Sequence, residues 1–186
     1  MSAGTERDKN LRERLNEWAQ DQIEGDDERA AIQHVEGRPQ PIPWAALKNL
    51  APPPRSWWIQ DWLGPAQPTL CSGAGGIGKS ILWQTIGTAL ALGKEYIGPT
   101  VKPLHVLMWA CEDQHEEIWR RQVAICEYFD VGIETLQGKL SIVPRFGFDN
   151  TLFDLAFGKP TFTPEFLLLR EEVNDQKADV LVLDNN

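Results

Sequence analysis

Gly73-Ala74-Gly75-Gly76-Ile77-Gly78-Lys79-Ser80 is the stretch of this 186-residue chain from which its fold can be read. The eight residues fit G-x-x-x-x-G-K-[ST] at every fixed position. A triphosphate needs many backbone N–H groups converging on it, so the chain must wrap tightly. Four glycines allow that, through positive φ or by lacking a Cβ. The helix that follows aims its free N–H groups and positive dipole end at the phosphates. Lys79 can reach the terminal phosphate oxygens as a point charge, and Ser80 can put its hydroxyl on Mg²⁺.

The flanks agree with the motif. Pro68–Ser72 (PTLCS) reads as a buried strand entering the turn, and SILWQTIGTALALG (80–93) as an amphipathic helix stopped by Gly93. HVLMWA (105–110) is a second apolar strand, and QHEEIWRRQVAICEYF (114–129) a helix with Ile118, Ile125, Cys126 and Phe129 on one side. LSIVP (140–144) is a short strand. Residues 145–162 read as a long irregular loop. Thr163-Pro164-Glu165 is a good helix start, and the helix should run to about Lys177. VLVLD (180–184) is another strongly apolar strand. Strand–helix alternation with near-continuous apolar strands predicts an α/β fold with a mainly parallel sheet covered on both faces.

Two acids complete the expected site. A carboxylate that organises Mg²⁺ should lie at the carboxyl end of a strand, level with the glycine turn. Asp184 ends such a strand after four apolar residues. Hydrolysis needs a further carboxylate to polarise water. The residue after Asp184 is Asn185, whose amide cannot take a proton, so the base is sought elsewhere. Glu112, just past the strand HVLMWA, is the candidate. Asp113 is adjacent, but consecutive residues point differently, so one of the two is expected to face the phosphate.

Charge and composition narrow the classes. With 42% hydrophobic and 24% charged residues the chain can bury a core. The 18 basic and 27 acidic residues leave a net charge of −9, which argues against coating duplex DNA or an anionic membrane by bulk charge. Residues 1–55 carry net −2, 56–111 net +1 and 112–186 net −8, so the motif sits in the least acidic third. Cys71, Cys111 and Cys126 form no C-x-x-C pair and read as buried, reduced thiols of a cytoplasmic protein. His34, His105 and His115 form no ligand set. No secretory signal and no transmembrane run is visible. Residues 1–54 read as a polar, Pro-rich arm or linker, with a thin helix expected within 1–36, and residues 55–186 as the folded domain. Trp57, Trp58 and Trp62 are expected to pack their segment onto the core, and Trp83 and Trp109 to lie in it.

TLCSGAGGIGKSILWQTIGTAL, VLMWACEDQHEEIWRRQVAI and ADVLVLDNN together resemble a RecA-like P-loop NTPase. The chain looks most like the RepA-type AAA ATPases of plasmids and phages, related to hexameric replicative helicases. The resemblance covers about residues 56–186. It implies ATP and Mg²⁺ as cofactors, with Glu112 and Lys79 catalytic. Gly73, Ala74, Gly75, Gly76, Ile77, Gly78, Lys79 and Ser80 would hold the phosphates, and Ser80 and Asp184 the metal. Arg121, on the helix after Glu112, matches a basic residue near the nucleotide. It also implies a hexameric ring acting on single-stranded DNA, without a membrane. A RecA-like core continues past the strand that ends in Asp184, so the chain reads as the N-terminal part of such a core, without its C-terminal strands, sensor residue and arginine finger.

Three functions compete on the sequence. A helicase-type ATP motor comes first. A regulator or loader that switches partner binding with little hydrolysis comes second. A small-molecule phosphotransferase would need an arginine-rich lid and an acceptor pocket, and neither is visible; an N-K-x-D motif for guanine is lacking too.

Overall fold

The computed structural model describes residues 41–100, 102–156 and 159–184. Its elements run α1 (Trp44–Leu47), α2 (Lys79–Leu92), β1 (Val106–Ala110), α3 (His115–Tyr128), a 3₁₀ turn (Ile133–Leu136), β2 (Leu140–Pro144), β3 (Phe153–Ala156), β4 (Lys159–Phe162), α4 (Pro164–Asp175) and β5 (Val180–Asp184). The chain divides into two compact units. One is Arg55–Thr151 with Leu168–Asn186, and the other is Met1–Pro54 with Leu152–Leu167.

In the first unit a parallel sheet of order β2-β1-β5 is flanked by helices, the predicted α/β architecture. All five residues of β1 are buried, which explains its unbroken apolar run VLMWA. Val106 pairs with Leu140 on one side and Val180 on the other, and Ala110 with Pro144 and Asp184. The β1–β5 register is tied at both ends. Asp179 N–H donates to the His105 carbonyl at 2.8 Å, and Cys111 N–H to the Asp184 carbonyl at 3.0 Å. Only β1 is fully covered on both faces. On β5, Val180 is buried, whereas Leu181 and Leu183 are 39% and 47% exposed. The expectation of a sheet covered on both faces therefore holds for the central strand alone.

Helix α2 starts one residue before the predicted position and ends at Gly93, which takes the left-handed conformation expected of a C-terminal stop. It is not amphipathic in its second half. Every residue from Gln84 to Ala91 is buried, because the sheet, α3 and the 3₁₀ turn surround it. Ile86, Leu90 and Ala91 pack with Ile59, Leu63, Leu104, Val106 and Val180. The tryptophan-rich segment reaches the same core. Trp58 packs against it, a tight turn from Ile59 to Leu63 buries both ends, and Trp62 stacks on Trp83 at 5.8 Å. Trp109 is 1% exposed.

A buried polar cluster joins α2 to α3. Gln84 Nε2 donates to the Ile118 carbonyl at 2.9 Å and to Gln122 Oε1 at 3.0 Å. Gln122 Nε2 donates to Thr88 Oγ1 at 3.0 Å, and that hydroxyl donates to the Gln84 carbonyl at 2.8 Å. The predicted apolar face of α3 thus includes a buried glutamine, admitted because its amide is satisfied.

Two predicted elements differ. Pro68–Ser72 is no strand, and Leu70 is 91% exposed. A strand needs a hydrogen-bonded neighbour. Residues 67–71 instead face the outer edge of β5 across a cavity, so their backbone pairs with nothing in the sheet. Cys71 is consequently exposed, Cys111 partly so, and Cys126 alone is buried as expected.

The second unit corrects the predicted irregular loop over 145–162. Phe153–Ala156 and Lys159–Phe162 form an antiparallel pair. Phe153 and Phe162 stand opposite one another with rings 4.9 Å apart, and Phe162 stacks on Phe166 at 4.2 Å. Thr163 caps α4 as predicted, its Oγ1 accepting from Phe166 N–H at 3.3 Å. In the same unit, α1 is a single turn without a buried residue inside the stretch read as extended linker. The helix expected within 1–36 lies outside the described residues.

Candidate functional site: a glycine turn, a lysine and two strand-end acids

The turn before α2 is built for an anion. Gly76 and Gly78 have φ of 76° and 92°, conformations that cost an L side chain strain. Gly78 occupies the N-cap position and offers no side chain to the first N–H groups of α2. Neither is there an acid in its first turn, whereas α3 begins with Glu116 and Glu117 and α4 with Glu165. Helices ordinarily place acids at this positive end, so α2 keeps its own end open to an external anion. Lys79 Nζ donates to the carbonyls of Gly73 and Ala74, both at 3.0 Å. The ammonium thus sits folded over the loop, one torsional swing from whatever the loop holds. Ser80 follows it, half-buried, in the first turn.

Asp184 meets this arrangement from the sheet. Lys79 and Asp184 line the same cavity of about 600 Å³, within the range of small-molecule pockets. Most of its wall is apolar, from Trp58, Leu63, Trp83, Val180 and Val182. Asp184 is 8% exposed, and its Oδ2 is buried without a hydrogen-bond partner among the described residues. An orphaned buried carboxylate oxygen is costly, and a cation or a metal-bound water resolves it. The residues present therefore fit a nucleoside triphosphate with a divalent metal: open helix N–H groups, a lysine, a serine hydroxyl and an unsatisfied carboxylate oxygen.

Glu112 emerges from the neighbouring strand at the same end. It lies two residues beyond Ala110, which pairs with Asp184. It is half-exposed and makes no hydrogen bond or ion pair among the described residues. Burial pushes the Cys111 thiol above its usual range; Arg145 opposes this, and the charges of Asp184 and Glu112 add to it. Glu112 follows Cys111 directly, and Cys111 N–H bonds the Asp184 carbonyl at 3.0 Å, so both acids belong to the carboxyl ends of β1 and β5.

Arg121 takes up Asp113. Its Nη1 and Nη2 donate to Asp113 Oδ2 and Oδ1 at 2.5 and 3.0 Å, and its Nε to Glu117 Oε1 at 3.0 Å. Asp113 is thus committed to a cation, whereas Glu112 has no such partner among the described residues. The pairing itself was not read from the sequence, although a separation of eight residues, about two helical turns, could have suggested it. Arg145 was also passed over, inside the presumed loop. It directly follows β2, its N–H donates to the Ala110 carbonyl at 2.7 Å, and its guanidinium lies over the Trp109 and Phe148 rings at 5.0 and 4.8 Å. Its place after a strand of a parallel sheet was the available signal.

A family model described as an AAA domain matches residues 33–186. The chain belongs to the AAA domain family. No curated protein matches it. Membership brings nucleotide binding and hydrolysis of the P-loop NTPase type. Of the residues singled out in the sequence, Lys79 and Asp184 line the cavity of this AAA domain, whereas the glycines of the turn, Ser80 and Glu112 do not. No helix among the described residues of the AAA domain is long and apolar enough to cross a membrane.

Proposed function

We propose that this AAA domain binds ATP with Mg²⁺ and hydrolyses it, as the motor of a replicative-helicase-type ring acting on single-stranded DNA. The observation that carries the ATPase reading is the shared cavity of Lys79 and Asp184, with Asp184 Oδ2 buried and unsatisfied. Residues Gly73 to Ser80 wrap the phosphates, and Lys79 exchanges two loop carbonyls for a phosphate oxygen, a stronger charge-assisted partner. Ser80 and Asp184 would hold the metal, which would neutralise phosphate charge when bound. Glu112 orients and deprotonates the attacking water. It makes no ion pair among the described residues, so no cation holds it away from the water. The ring and the DNA rest on the resemblance to RepA-type ATPases.

One observation favours the second reading, an ATP-dependent regulator or loader with little hydrolysis. Asn185 stands where a second carboxylate would follow Asp184. ATP turnover measured with and without single-stranded DNA separates the two. A motor is stimulated by DNA and assembles with ATP. A regulator binds ATP with slow, DNA-indifferent turnover. In either case Glu112→Gln should retain ATP affinity and lose turnover, and retained turnover would remove Glu112 from the role of base.

A further inference from the structure

The turn between β1 and α3 is held at Cys111 and at Asp113, and between them Glu112 makes no hydrogen bond or ion pair among the described residues. At the strand end, Cys111 N–H bonds the Asp184 carbonyl at 3.0 Å. At the helix end, both oxygens of Asp113 are gripped by Arg121, eight residues further along. The Asp113 and Arg121 side chains are only 20% and 22% exposed, so the pair is partly shielded from water. A two-pronged guanidinium–carboxylate contact fixes orientation as well as distance. Glu117 holds the third guanidinium nitrogen, and Arg120 holds Glu117 in turn at 2.6 Å. Arg121 therefore has three of its donors spent on carboxylates of its own subunit.

We infer that Asp113 and Arg121 are positioning residues, a clamp that sets the β1–α3 turn so that Glu112 faces the reacting water. The inference rests on the reading of Glu112 as the base. It departs from the resemblance, which puts Arg121 on the nucleotide itself. Two consequences distinguish the roles. An arginine that binds nucleotide contributes to affinity alone, without Asp113. A clamp acts through Asp113, leaves affinity untouched and changes only the rate of the chemical step.

The test uses the full chain with Asp113→Asn, Arg121→Gln, Arg121→Lys, the Asp113→Asn/Arg121→Gln double variant and Glu112→Gln. The slowly hydrolysed analogue ATPγS is titrated for affinity, and ATP turnover is followed well below each variant's melting temperature. Each single loss should lower kcat roughly 10- to 100-fold, with ATPγS affinity within about twofold of the parent. The double variant should be no slower than the worse single one, because one clamp is broken once. Arg121→Lys keeps the charge without the paired donors and should recover part of the rate. Weaker ATPγS binding in Arg121→Gln but not in Asp113→Asn would overturn the clamp and make Arg121 a direct nucleotide ligand. Parental kcat in Asp113→Asn, with Glu112→Gln inactive, would overturn the clamp and leave the base in place. Turnover retained by Glu112→Gln would overturn the reading on which the clamp depends.

Discussion

Lys79, at the first position of α2, and Asp184, at the last of β5, line one cavity, though nothing in the chain between them brings their elements adjacent in sequence. The lysine donates to two loop carbonyls, and the aspartate keeps one oxygen without a donor. Opposite charges that line one cavity without pairing with each other are what the proposed phosphate and metal would require.

Replacing Lys79 by alanine should weaken ATP binding about 10- to 100-fold, as expected for loss of one charged hydrogen-bond donor worth ~1.5–3 kcal/mol. Stability should change little, because the ammonium bonds only two exposed loop carbonyls. Titration with a fluorescent ATP analogue, beside a melting curve, checks both halves. Unchanged affinity would contradict the assignment.

Asp184→Asn should trade function for stability. The apo protein should gain stability on the order of 1 kcal/mol, since a buried oxygen without a donor is replaced by a group that loses no charge hydration. The variant should also lose the Mg²⁺-dependent part of its ATP affinity. Denaturant melts of the apo form, with ATP titrations in Mg²⁺ and in chelator, would show the two effects moving in opposite directions.

Two glycines of the turn should respond differently to alanine. Gly78 has φ 92°, so Gly78→Ala strains the backbone by about 1–2 kcal/mol and should disorder the phosphate turn. A Cβ on Gly75 meets nothing within 4 Å and its φ is not positive, so Gly75→Ala should fold normally. ATP affinity and melting temperature of both variants give the comparison; equal damage would mean the turn is not held in this conformation.

The glutamine cluster should be strongly coupled. Gln84→Leu leaves Gln122 Oε1 without its donor in the core and should cost about 1–3 kcal/mol. The Gln84→Leu/Gln122→Leu double variant should cost less than the sum of the singles. A double-mutant cycle on urea unfolding measures the coupling; simple additivity would show that the two amides do not act together.

Most of the elements that carry the site were legible in the chain. β2 and β5 match their predicted spans, and α2, β1 and α3 begin or end within one residue. Their signals are local: an apolar run, a 3.6-residue rhythm, a stop glycine, a capping threonine. The hairpin Phe153–Phe162 was missed because its strands have four residues each, too short for alternation to stand out, and its aromatic cross-strand pair exists only once it has folded. Pro68–Ser72 was taken for a strand because it is apolar and precedes the glycine turn. Whether an extended segment becomes a strand depends on a neighbour's free N–H and C=O groups, which no local pattern records.

By itself the sequence determined the glycine turn before α2, the parallel α/β order and the two acids after strands, because these depend on residue type and spacing within a few turns of chain. The tertiary structure alone decided that Asp184 keeps an oxygen unsatisfied, that Gln122 turns inward, and that Arg121 spends its guanidinium on Asp113. Those outcomes turn on which polar partner lies within about 3 Å after packing. Hydrogen bonding acts over that distance in space, and separation along the chain does not report it.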